Sequence, residues 1–253
     1  MSLLKKIKKE VKVIFILMLA VTSIAFVQKK QSATTCHTIR INVINPESSN
    51  FVDEKEVARL ITGDRSVALV GNSYGRINLK EIETRTKTNT YIQDAEAYKD
   101  HRGDIIVDAY IARPIARIMR TGKPDQYITD KGNLVETSTN YTSRVLLITG
   151  DYVSSFKQNL EQDSSQQVLF KFLEYIYNDP FWKAQIAQID IDRDGEMVIY
   201  PQVTKQYIQF GTLDEWQEKM EKLKIFYDKI LPFKGWNAYS RVNLVYENQI
   251  ICE

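Results

Sequence analysis

The feature that most constrains this chain is an uncharged apolar segment close to its N-terminus. No charged residue occurs between Val13 and Val27, and lysines lie on both sides of the segment. As a helix it would extend about 22 Å. A bilayer core is about 30 Å thick, and snorkelling of the flanking lysines supplies part of the difference. A cleaved signal peptide also has a basic start and a short apolar core, but no A-x-A cleavage motif follows here. We therefore predict an uncleaved transmembrane anchor over residues 13–27.

The distribution of lysines predicts the orientation of this anchor. Five lysines lie within residues 1–12, whereas only Lys29 and Lys30 follow the segment closely. The positive-inside rule then places the tail of residues 1–12 in the cytoplasm and everything after residue 27 outside it. Five lysines and one glutamate give the tail a charge of +4, so the rest of the chain carries −2 (2 − 4). A weakly acidic exported part does not indicate a nucleic-acid binder.

Residues 37–118 have the pattern of a small domain with the element order β-α-α-β-β. Isoleucine and valine alternate with polar residues over 38–44, which predicts a strand. Two helices follow, with Asp53 and Asn78 as their predicted N-caps. Two extended runs complete the order, and the second of them continues without a predicted break over residues 104–119. We expect one three-stranded sheet with two helices on one face.

The region 119–253 is predicted to be a β-rich domain with packed helices. An Asp-Gly pair at 194–195 lies between two alternating runs, which is the usual signal for a hairpin. A long helix is predicted to begin at Thr212, with Glu215 completing a capping box. The chain then closes with two short strands joined by a turn near residues 247–248.

Two motifs imitate chemistry that the rest of the sequence does not support. Ser73 lies in a G-x-S-x-G stretch, but the only histidines are His37 and His101, and none follows at a hydrolase-like distance. A glycine-flanked loop between two short helices is the preferred interpretation. The aspartates of 190–195 resemble the start of a calcium loop, yet Pro201 stands at the twelfth position, which needs a glutamate. No zinc spacing or phosphate-binding loop occurs, so we predict no metal, no cofactor and no catalytic site.

Several motifs, taken in their order along the chain, resemble the FtsQ/DivIB family of bacterial cell-division proteins. The exported domain before residue 119 resembles a POTRA domain, and its end resembles a family pattern in which Ala112 replaces a frequent glutamate. The motifs are ARPIARI at 112–118, YITDKGN at 127–133, IQFG at 208–211 and YSRVNLVYENQIIC at 239–252. The resemblance implies an α+β protein with one N-terminal transmembrane helix, a POTRA-like domain over 37–118 and an FtsQ-type β domain over 119–253.

The resemblance also implies a function. Proteins of this family are non-enzymatic, bitopic scaffolds of the divisome in the cytoplasmic (inner) membrane at the division septum. They bind the membrane proteins FtsB and FtsL, mainly FtsB, and bind no nucleic acid or small-molecule substrate. The partner adds a strand to the edge of the last hairpin. The matching residues here are Tyr246 in the hairpin, followed by Gln249, Ile250 and Ile251 in the edge strand.

Elementary strand physics is consistent with that site. An edge strand presents unpaired N–H and C=O groups, and a dedicated partner strand would cover them. Ile250 and Ile251 must point to opposite faces, one of them inward, and the sequence does not say which.

Two other functions are less consistent with the sequence. A POTRA-bearing envelope protein that acts in outer-membrane protein assembly or transport would need a large C-terminal barrel, for which too few residues follow position 119. An anchored exported enzyme is disfavoured because no nucleophile, base and oxyanion donor assemble in the sequence.

Overall fold

A computed structural model describes residues 15–23, 35–45, 50–63, 69–100, 102–138 and 141–253. The chain divides into two compact units, the first comprising residues 1–45 and 52–111 and the second residues 46–51 and 112–253. Residues 15–23 form a helix, α1, with exposed side chains. No helix within the described residues is long and apolar enough to cross a membrane. The predicted tail of residues 1–12 and both ends of the predicted anchor lie outside the described residues.

The first unit contains a three-stranded sheet in the order β1-β3-β2, which confirms the predicted order of elements. Strand β1 runs parallel to β3, and β2 runs antiparallel to β3. The elements are β1 (Thr38–Ile44), α2 (Glu54–Thr62), α3 (Leu79–Thr86), β2 (Ile92–Lys99) and β3 (Asp104–Ile111).

Helices α2 and α3 begin where the sequence predicts. The carboxylate of Asp53 accepts a hydrogen bond from the backbone N–H of Glu56 at 2.7 Å. The side-chain oxygen of Asn78 accepts one from the N–H of Glu81 at 3.3 Å. Each cap satisfies an N–H group that has no partner within its own helix.

The boundary between the units lies earlier than the sequence suggested. The predicted single run over 104–119 is two strands, because β3 ends at Ile111 and β4 (Pro114–Ile118) belongs to the sheet of the second unit. The predicted domain limit at residue 118 is therefore wrong by one strand. Pro114 explains the break, since proline has no N–H to donate to a sheet ladder and is tolerated as the first residue of a strand.

The second unit is built on a nine-stranded sheet in the order β12-β11-β10-β9-β8-β7-β4-β5-β6. Its helices lie in two connections: α4 and α5 lie between β7 and β8, and α6 and α7 lie between β10 and β11. The elements after β4 are β5 (Gln126–Thr129), β6 (Leu134–Glu136), β7 (Leu146–Thr149), α4 (Gln167–Asn178), α5 (Pro180–Gln185), β8 (Ile186–Ile191), β9 (Met197–Pro201), β10 (Tyr207–Gly211), α6 (Trp216–Ile225), a π-helical turn (Phe226–Ile230), α7 (Leu231–Lys234), β11 (Arg241–Asn243) and β12 (Ile251–Cys252).

The long helix of this unit begins later than predicted. It starts at Trp216, and Glu215 precedes it in a left-handed conformation with φ 51° and without a side-chain capping bond. The hydroxyl of Thr212 instead donates to Asp214 at 2.8 Å, so the predicted capping box is absent. Met220 and Leu223 of this helix are buried and pack into the core of the unit.

Candidate partner-binding edge

The two ends of the nine-stranded sheet differ in how their backbone groups are satisfied. At one end, residues 158–160 cover the outer side of β6. The N–H of Leu134 donates to the carbonyl of Gln158 at 3.0 Å, and the side-chain amide of Gln158 returns a bond to the carbonyl of Leu134 at 2.9 Å. The N–H of Leu160 bonds the carbonyl of Gly132 at 2.9 Å. This edge is therefore closed to another strand.

At the other end, β12 pairs only with β11 among the strands of the described residues. Arg241 and Glu253 exchange both backbone hydrogen bonds, at 3.0 and 3.1 Å. In an antiparallel pair, the residue next to such a doubly bonded position has its N–H and C=O pointing away from the partner strand. That position is Cys252, which lies opposite Val242. The backbone groups of Cys252 therefore point to the open side of the sheet.

The structure places the predicted site residues in two local environments. Tyr246 and Gln249 lie in the irregular segment that joins β11 to β12, and both side chains are exposed, Tyr246 by 51%. Gln249 and Ile250 were predicted to belong to the edge strand, but the strand begins only at Ile251. The left-handed Asn248, with φ 55°, lies in this segment and turns the chain, which explains the late start.

Of the two adjacent isoleucines, Ile250 faces the core. Ile250 and Cys252 are partly buried and pack against the main apolar core of the second unit. Since alternate residues of a strand share a face, Ile251 lies on the opposite face. Burial also raises the pKa of the Cys252 thiol, which keeps it a neutral, weakly polar side chain.

The sequence did not identify Cys252 as a site residue. Cys252 differs from its neighbours in the direction of its backbone N–H, which depends on the pairing register with β11. The only sequence signal that could have identified it is the two-residue alternation starting from an inward Ile250.

The motifs that imitate catalytic sites are local turns. Ser73 lies in a loop just before a short 3-10 turn and forms an isolated bridge with Thr35. The carboxylate of Asp192 accepts bonds from the N–H groups of Asp194 and Glu196, as expected for the turn of the β8–β9 hairpin. His101 lies outside the described residues.

A cleft of about 750 Å³ opens where β4, β7 and β8 end. The carboxylates that line it are already paired with arginines. Asp125 accepts a bond from Arg117 at 2.7 Å, and Asp151 accepts one from Arg193 at 2.8 Å. Each of these carboxylates therefore has an arginine partner within the cleft or beside it.

Comparison with known protein families divides the chain at the same point as the structure does. The family described as FtsQ/DivIB, C-terminal related, matches residues 113–253. A POTRA-like domain matches residues 34–110. No curated protein matches the chain. The first match covers more than half of the chain and includes every strand of the nine-stranded sheet.

Proposed function

Because this chain belongs to the FtsQ/DivIB family of non-enzymatic cell-division proteins, we propose that it is a bitopic membrane scaffold of the divisome. Its exported domains bind partners of the FtsB and FtsL type and link them at the division septum. The observation that carries this proposal is the open edge of β12, since the opposite edge of the same sheet is covered.

The chemistry of the open edge favours a partner that binds as a strand. The outward N–H and C=O of Cys252 supply one donor and one acceptor for an added strand, as in β-augmentation. Tyr246 lies in the segment that leads into this strand, with half of its side chain exposed. A tyrosine at such a position adds apolar contact area and a hydroxyl group at low entropic cost. Ile251 adds an apolar side chain on the face that does not pack on the core.

Replacing Tyr246 with alanine should weaken binding of an FtsB-type protein about thirtyfold, equivalent to a loss of about 2 kcal/mol. The affinity of the full-length protein for the exported segment of the FtsB-type partner would be measured by titration. Tyr200→Ala is a matched control, because Tyr200 on β9 is 41% exposed and Tyr246 is 51% exposed. Equal affinity in the wild type and both variants would show that Tyr246 is not a contact. If the full-length protein co-purifies with outer-membrane assembly factors and not with division proteins, the alternative function in outer-membrane protein assembly or transport is favoured.

The proposed topology has a cytoplasmic tail over 1–12, one span over 13–27 and an exported remainder. It is supported by the five lysines before the segment and the two that follow it closely. A reporter that is active only outside the cytoplasm should be active when fused after Glu253. The same reporter fused after Lys12 should be inactive. The reverse pattern would contradict the orientation. If both fusions are inactive, the prediction that the chain is exported is contradicted.

A further inference from the structure

The segment that leads from β11 to the open edge has no regular secondary structure, yet its backbone is held by several hydrogen bonds. The N–H of Leu244 donates to the carbonyl of Gln209 at 3.0 Å. The N–H of Val245 donates to the buried side chain of Asn243 at 2.9 Å. The carbonyls of Leu244 and Tyr246 need donors from outside the segment, because no strand pairs with it among the described residues.

One side chain supplies both of those donors. The ammonium group of Lys222, on α6, donates to the carbonyl of Leu244 and to the carbonyl of Tyr246, each at 2.7 Å. A lysine suits this task because its ammonium group has three donors and can serve more than one acceptor. Hydrogen bonds from a charged donor are stronger than neutral ones.

A second lysine of the same helix makes a related contact. Lys219 lies about one helical turn before Lys222 and donates to the carbonyl of Thr212 at 2.8 Å, directly after β10. Strands β10 and β11 are parallel neighbours. The two lysines therefore attach α6 to the residues that follow the C-terminal ends of these two adjacent strands. Lys219 is almost fully buried, and burial lowers its pKa. Lys222 is only partly buried, so its replacement leaves the core intact.

We propose that Lys222 is a positioning residue for the partner-binding edge. It fixes the backbone of residues 244–246 and thereby holds Tyr246 and β12 in the arrangement that a partner strand recognises. Without it, the segment samples more conformations, and the partner must order that segment when it binds. This inference rests on the proposed function for its binding step, whereas the ordering of the segment is independent of any partner.

The first test measures hydrogen exchange of backbone amides in the full-length protein without a partner. In Lys222→Met, whose side chain is close to lysine in length but has no donors, the hydrogen-bonded amides of Leu244 and Val245 should exchange about tenfold faster. Lys222→Arg should restore most of the protection, because a guanidinium group also offers several donors. Lys229→Met is the matched control, since it removes one positive charge from an exposed position of the following turn. Unchanged exchange in Lys222→Met would overturn the proposal.

The second test measures affinity for the exported segment of the FtsB-type partner. Lys222→Met should bind about tenfold more weakly, whereas Lys222→Arg and Lys229→Met should stay close to the wild type. Faster exchange with unchanged affinity would overturn a positioning role. If the wild type does not bind the segment at all, the proposed function fails, and the exchange measurement still decides whether Lys222 holds residues 244–246.

Discussion

Replacing Gly150 with alanine is expected to unfold the second unit or to destabilise it by more than about 4 kcal/mol. Gly150 follows β7 with φ 98°, a conformation that other L-residues rarely adopt. A Cβ atom at this position would lie 2.1 Å from the carbonyl oxygen of Ile191 and 2.8 Å from its nitrogen. These are backbone atoms of β8, the strand that pairs with β7, so no side-chain rotation relieves the overlap. The two strands would have to separate.

Unfolding in denaturant, followed by tryptophan fluorescence, measures this effect in the relevant unit. The three tryptophans of the chain, Trp182, Trp216 and Trp236, all lie in the second unit. Gly195→Ala is the control, because Gly195 also has a positive φ, of 82°, but a Cβ there would meet nothing within 4 Å. That substitution should cost only about 1–2 kcal/mol, the strain of a left-handed residue. Similar small losses in both variants would contradict the close approach of Gly150 to Ile191.

The sequence predicts those features of the fold that depend on neighbours along the chain. The caps Asp53 and Asn78, the alternation in β1 and the Asp-Gly turn between β8 and β9 are encoded within a few residues, and each was predicted correctly. The predicted start of α6 is wrong, because Thr212 and Glu215 match a capping-box pattern in sequence that the backbone does not adopt. A local pattern is a weak predictor where tertiary packing decides the path of the chain.

Features that depend on distant partners could not be predicted in this way. Residues 104–119 were predicted as a single extended run, but β3 and β4 pair in different sheets, which only the partner strands reveal. Gly150 carries no special signal, because its constraint comes from the backbone of Ile191. Tyr246 and Ile250 could be proposed from a resemblance, whereas the outward backbone of Cys252 required the register with Val242. The contact of Lys222 with residues 244 and 246 was likewise invisible in the sequence.

Replacing Cys252 with proline should weaken binding of the partner strand about a hundredfold, while the protein stays folded. Proline removes the N–H of Cys252, which points to the open side of the sheet, and leaves the bonds between Arg241 and Glu253 intact. Without this donor, a carbonyl of the partner strand is left unsatisfied at a desolvated edge, which lowers the binding free energy by about 1–3 kcal/mol. The proline ring also occupies the space where the added backbone would lie. Proline is tolerated in edge strands at positions of this kind.

Two control variants separate the loss of the donor from damage to the hairpin. Cys252→Val keeps the N–H and fills the same partly buried position, so it should bind like the wild type. Ile251→Pro removes an N–H that points toward Asn243 in the register of β11 and β12, so it should loosen the hairpin before any partner is added. Thermal unfolding would verify that Cys252→Pro and Cys252→Val have similar stability. If Cys252→Pro is folded and binds the FtsB-type segment as tightly as Cys252→Val, the partner does not add a strand to β12. An added strand needs the backbone N–H of Cys252 as a donor, whichever side chains the partner carries.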